Sequence, residues 1–342
     1  MTRLRLLISL TLAFTLFVTT AVFAQQPPNP PPQPPRPLRP LRPLRAGDGR
    51  VELTEPFART VKVGANSALL VVNTRGEILV SAGGAGQIEI SAIKRGRGSN
   101  DDEAKRRLAQ TQIQVYANGN RVEVRNESEN GGAADFTITV PSDCAVDLRA
   151  VSGDMKVVNV KGELRTQAVS GNVILEGTSR VALVKTVSGD VQITNGGGSA
   201  GLSIATVSGD VVANGLSARG LELNSVSGDF RLGGWTGDRL DAHLLSGDFE
   251  LNGSLIKGGR YDVETHSGDV RLVLGAQPGF EVDATTFSGT IGITFNMKTE
   301  DFRGPVTTGR GRGPRSVRGT YGDASASVRV QTFSGNIVIT PK

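Results

Sequence analysis

Six aspartates, Asp154, Asp190, Asp210, Asp229, Asp248 and Asp269, each follow a Ser-Gly pair, and Asn172 and Asn336 take the same place in two further copies. Acids that recur at one place in a repeat suggest cation binding, as in calcium-binding β-rolls. Those rolls need a nine-residue Gly-Gly-x-Gly-x-Asp repeat in which two loops share each ion. Here the corners come every 18 to 21 residues, and Asn or Thr290 interrupts the column. Turn capping is the expected role, with calcium as the alternative.

Five positions before the Ser, four copies in succession carry Glu222, Asp241, Asp262 and Asp283, with Glu264 two residues from Asp262. If the strands stack in chain order, these acids form one stripe with neighbours about 4.8 Å apart. Aligned like charges are unfavourable, and other copies place Arg165, Leu183, Ser203 and Arg329 there, so the fold does not demand them. The stripe, with His243 beside it, is a candidate surface for a cationic partner, a divalent ion or sugar hydroxyls. The alternative is a solubilising face screened by water and salt.

Trp235, the only tryptophan, lies among glycines. It either packs on the edge of the fold or offers a sugar-stacking platform. His243 and His266 stand three and one positions before their Ser, in different columns, and make no catalytic pair. Cys144 is the only cysteine, so no intramolecular disulfide forms, and it reads as a small buried hydrophobe. There is no P-loop, dinucleotide fingerprint, Cys/His metal spacing or Gly-x-Ser-x-Gly elbow. No catalytic residue, cofactor or metal site is expected.

These residues are positioned by a repeat. Ser-Gly-Asp or a close variant occurs at Ser152, Ser170, Ser188, Ser208, Ser227, Ser246, Ser267, Ser288 and Ser334, in steps of 18, 18, 20, 19, 19, 21, 21 and 46 residues. Three and five positions after each Ser the residue is apolar, as in Met155/Val157, Phe230/Leu232 and Ile337/Ile339. The alternation recurs six and four positions before it, as in Leu202/Ile204 and Tyr261/Val263. Period two on both sides of a glycine corner means two short strands per repeat, each with one buried face. One unit cannot bury that face alone, but stacked neighbours can. The expected fold is all-β: a single-stranded parallel β-solenoid with two short strands per turn of about 19 residues, plus one N-terminal helix and hairpin. An antiparallel meander is the alternative.

Residues 1–24 read as a signal peptide, with Arg3 and Arg5 before an apolar run ending Val22-Phe23-Ala24. Residues 25–49 form a Pro/Arg-rich spacer. Its three-residue period puts Arg36, Arg39, Arg42 and Arg45 in one stripe of a polyproline II helix, suited to an anionic surface. The formal charge is +5, and residues 1–45 hold six arginines and no acid, so residues 46–342 carry a formal −1. Nucleic-acid binding thereby loses its support, and no later segment could cross a membrane as a helix.

Residues 50–342 form one domain. In its first part, 50–140, Leu69, Val71, Ile78 and Val80 fit a degenerate tenth copy with Gly76 at the corner. A helix is expected from Asn100 as N-cap with Glu103 three residues on. A hairpin follows around Asn118-Gly119, then a strand at Phe136, Ile138 and Val140. Residues 141–342 hold the Ser-Gly-Asp copies, and residues 307–319 read as a mobile basic loop.

The leader, the degenerate first copy, the helix and hairpin, Phe136-Thr137-Ile138-Thr139-Val140-Pro141 and the repeated Val-Ser-Gly-Asp resemble the bacterial adhesin family of envelope domains, similar to the toastrack domains. The resemblance implies an extracytoplasmic β-solenoid without catalytic residues. The function expected is a non-enzymatic exported binding module whose partner is an envelope or cell-surface polymer or protein. An envelope scaffold or stress-sensing domain that binds another envelope protein is the second reading, and a β-helix polysaccharide lyase or hydrolase the third.

Overall fold

The computed structural model describes residues 50–127, 131–198, 201–303 and 315–342. In each repeat the alternating segments become two strands joined at the Ser-Gly-Asp corner: Leu202–Ser208 runs into Val211–Asn214, and Arg260–Ser267 into Val270–Leu274. Strands before the corner build a fourteen-stranded sheet, here called the S sheet, and strands after it a thirteen-stranded one. Through the repeat array, neighbours run parallel with Ser beside Ser. This is the solenoid, not the meander.

The inward columns are those that the alternation defines. Val173 and Leu175, Phe230 and Leu232, Leu221 and Leu223, and Val328 and Val330 are all buried. Ile291 and Ile293 stay partly exposed because their strand is the edge of its sheet, and Ala182 does so beside a register shift that buries Val181 in its place. A third inward column lies two positions before the Ser and is mostly hydroxylic: Thr186, Thr206, Ser225, Thr265, Thr332 and Thr286 are buried.

A second corner closes the middle turns. Seven positions after the Ser, Asn159, Gly177, Asn195, Gly215 and Gly234 take φ between 50° and 66°. Asn and Gly are the residues that tolerate this left-handed conformation. The next residue turns inward, burying Val160, Thr178, Leu216 and Trp235. A short third side, Gly197–Gly198 beside Ser217–Ala218, follows.

Stacking does not follow chain order at either end, contrary to the sequence expectation. Ala326–Ser334 and Ile337–Pro341 insert between the Ser267 turn and the Ser288 turn. At the other end, Ala68–Arg75 and Ile78–Gly83 insert between the Ser152 turn and the strands Arg121–Asn126 and Ala133–Pro141. Antiparallel strands then cover the ends. Gln87–Gly98 pairs with Ala133–Pro141 and Val51–Lys62 with Gln87–Gly98, while Gln114–Asn118 pairs with Arg121–Asn126. Arg315–Tyr321 pairs with Phe280–Ser288, and Lys298–Arg303 with Arg315–Tyr321. They cap the parallel ladder of the array.

The helix Asp101–Gln110 starts as expected, with the Glu103 N–H donating to the Asn100 side chain at 2.9 Å. Gly96 and Gly98 let it approach its sheet closely: a Cβ there would come within 2.2 and 2.6 Å of the helix backbone. Residues 315–319, expected in a loop, belong to the strand Arg315–Tyr321. The rest of that loop, the signal peptide and the Arg36–Arg39–Arg42–Arg45 stripe lie outside the described residues.

Candidate functional site

The corners form two ladders along the solenoid. Gly209, Gly228 and Gly247 take φ of 146°, 146° and 137°, and each would place a Cβ 2.1 to 2.2 Å from the carbonyl oxygen of the preceding corner glycine. Only glycine fits such a stack. Beside it, each acid accepts the N–H of the next corner. Asp210 donates to Asp190 at 3.0 Å, Asp229 to Asp210 at 2.9 Å, Asp248 to Asp229 at 2.9 Å and Asp269 to Asp248 at 2.8 Å. Asn172 fills one rung, accepting from Asp190 at 2.9 Å, which a carboxamide oxygen does as well. This is turn capping. Burial, reinforced by the charges of Asp229 and Asp269, pushes the Asp248 carboxyl above its ordinary range. Among the described residues no group of three or more His, Cys, Asp or Glu is placed to hold a metal ion.

The outer face of the S sheet carries three columns, one, three and five positions before the Ser. The column nearest the corner is apolar. It runs Val151, Val169, Val187, Val207, Val226, Leu245, His266, Phe333 and Phe287 in spatial order. Val226 is 47%, Leu245 54% and Phe333 49% exposed. At the far end the His266 ring stacks on Phe333 at 4.9 Å, and Phe333 on Phe287 at 4.8 Å, with the planes 6° and 4° apart. A groove of about 850 Å³ follows this row from Val207 to Phe287, and one of about 310 Å³ continues past Val151, Val169 and Val187. The sequence reading missed this row. Its signal was the Val of Val-Ser-Gly-Asp, which the alternation assigns outward.

The five-before column differs from the expected acidic stripe. Glu222, Asp241 and Asp262 are neighbours, but Arg329 stands between Asp262 and Asp283 because the Ser334 turn is intercalated. Each aspartate also has an arginine: Arg239 at 2.7 Å from Asp241, Arg260 at 3.4 Å from Asp262, and Arg318 at 2.7 Å from Asp283. The Glu222 carboxylate accepts from Asn224 at 3.0 Å. Glu264 lies in the middle column, 3.4 Å from His243.

Trp235 is 1% exposed, edge-on to Tyr261 with ring centroids 5.7 Å apart, so it is core and offers no stacking platform. The second corner turns it inward. Tyr261 in turn donates its hydroxyl to the Gly237 carbonyl at 2.9 Å. Cys144 is buried, and burial pushes its thiol above the usual range. Among the described residues no helix is long and apolar enough to cross a membrane.

No curated protein matches the chain. Among solved structures, a candidate adhesin from Bacteroides fragilis NCTC 9343 aligns over 83% of this chain and 97% of its own at 13% identity and TM-score 0.40. A candidate lipid-binding protein from Parabacteroides distasonis ATCC 8503 aligns over 84% and 96% at 9% identity and TM-score 0.42. A candidate cell adhesion protein from Clostridium sporogenes ATCC 15579 aligns over 84% and 100% at 13% identity and TM-score 0.25. The family model described as Toastrack DUF4097 matches residues 67–340, and the chain belongs to that family.

Proposed function

We propose that the chain is a non-enzymatic adhesin-type binding module, exported to the bacterial envelope or surface, that engages its partner through the outer face of the S sheet. The observation that carries this reading is the exposed apolar row from Val151 to Phe287. Contiguous apolar surface of this extent marks interaction sites, whereas scattered exposed apolar residues are ordinary. Polar columns beside the row supply orientation, as a polar rim does around an apolar centre. The corner acids support the non-enzymatic reading, because each is spent on a backbone rung. The apolar leader and Pro/Arg-rich segment of residues 1–49 support export with a spacer.

The test is attachment of the labelled chain to envelopes of the producing bacterium. Val226→Lys with Leu245→Lys is expected to abolish attachment while the circular-dichroism spectrum is unchanged. Glu250→Lys, on the other sheet's outer face, is expected to leave it intact. Attachment that survives the double change refutes the reading.

A further inference from the structure

We infer that the macromolecule fitting this face is a second copy of the chain, bound face to face about a two-fold axis that runs along the strands. The inference rests on the proposed reading of the face as a binding surface. An axis along the strands keeps each column's position and reverses the order of turns, so the apolar row of one copy lies on the apolar row of the other. Such an interface is isologous: every contact occurs twice.

Three features of the row favour a copy of itself. The first is spacing. Rungs recur about every 4.8 Å, and a second copy presents the same repeat, so side chains of one row meet the other in constant register. The second is size. The row is valine through its first five members and then widens to Leu245, His266, Phe333 and Phe287. Reversal sets a valine against each of Leu245, His266 and Phe333, so no two wide side chains meet. With the axis between the Ser208 and Ser227 turns, Val207 faces Val226 of the second copy, Val187 faces Leu245, Val169 faces His266 and Val151 faces Phe333. The third is charge. Beside the narrow half stand Arg149, Arg165 and Lys185 with Asp147 and Glu163; beside the wide half stand Glu222, Asp241, Asp262 and Glu264 with Arg239, Arg260 and Arg329. The same axis brings Arg165 to Asp262 and Asp147 to Arg329. Three in-chain pairs must exchange, Arg165 with Glu163, Arg149 with Asp147 and Arg260 with Asp262; all lie at the surface, where such pairs are weakly held.

The experiment is light scattering and sedimentation of the full chain, as processed on expression, over a concentration series. A dimer is expected. Val207→Lys, a change at an exposed position beside the axis, is expected to raise the dimer dissociation constant more than tenfold with an unchanged circular-dichroism spectrum. Arg165→Glu and Asp262→Arg should each weaken it several-fold, and an equimolar mixture of these two variants should associate more tightly than either alone. A chain that is monomeric up to about 100 µM, where micromolar affinity would populate the dimer, overturns the inference. A dimer indifferent to all three changes, or a mixture that gains nothing, overturns it as well. Where the chain is monomeric yet Val226→Lys with Leu245→Lys abolishes attachment to envelopes, the inference falls and the binding face stands. The partner is then a foreign polymer or protein.

Discussion

The Asn336 backbone N–H donates to the Asp269 carboxylate at 2.7 Å, although 67 residues separate them in the chain. That one rung records both devices of this fold: the corner side chain caps the next corner, and the last turn has returned to fill a slot left between two earlier ones.

The corner cap is testable by keeping or removing the acceptor. Asp229→Ala leaves the Asp248 N–H without its 2.9 Å acceptor and is expected to cost about 1–2 kcal/mol in urea denaturation. Asp229→Asn keeps an acceptor oxygen, as Asn172 does, and relieves a column of like charges, so its loss should be near zero. An Asn variant as unstable as the Ala variant would refute the cap.

The glycine ladder makes a sharper demand. Gly228→Val meets both a φ of 146° and a carbonyl oxygen 2.1 Å from the new Cβ, and is expected to cost at least about 1–3 kcal/mol. Gly220→Ala has open space around its Cβ and serves as the control. Equal melting temperatures for the two would contradict the assigned corner.

Intercalation predicts an unusual response to truncation. In a solenoid stacked in chain order, loss of the terminal repeat uncovers one neighbour and is often tolerated. Here removal of residues 326–342 uncovers the Ser267 turn and detaches the Ser288 turn together. The truncated chain should fail to give a cooperative melt, and one that melts like the full chain would show that the last strands lie outside the stack.

Two carboxyls give opposite pH slopes. Asp248 is raised above its ordinary 3.8, chiefly by burial. The folded chain therefore holds that proton more tightly than the unfolded one, and stability rises as pH falls toward 3.8 and is lost again as pH climbs. Glu103 is lowered from 4.5 to about 2 by its hydrogen bonds from Ser99, so its contribution is present above 4.5 and is lost as pH falls toward 2. Melting temperatures of Asp248→Asn and Glu103→Gln, each compared with the parent from pH 7 to 3, should diverge in opposite directions. Parallel profiles would refute both assignments.

What could be read from the sequence followed local rules. Period two set the buried pairs such as Phe230 and Leu232, Gly and Asp marked the corner, and Asn100 with Glu103 set the helix start. The exposed row was harder because the usual polarity inverts beside the corner: Thr206 and Thr265 point inward while Val207 and Val226 point out. Asn159, Gly177 and Asn195 did mark the second corner, but only an alignment seven positions after each Ser reveals them, and Trp235 was misplaced without it. The intercalated order leaves no local trace. Every turn offers the same ladder spacing, so nothing around Asp262 shows that Arg329, not Asp283, lies beside it.

The central claim, that the apolar row is the contact surface, is most directly tested by hydroxyl-radical footprinting of the chain, free at a concentration where it is monomeric and then attached to envelopes. The account predicts that Leu245, His266, Phe287 and Phe333 lose labelling on attachment while Ile93 and Val338, exposed on the other sheet, keep theirs. Undiminished labelling of the row in the attached protein would contradict it.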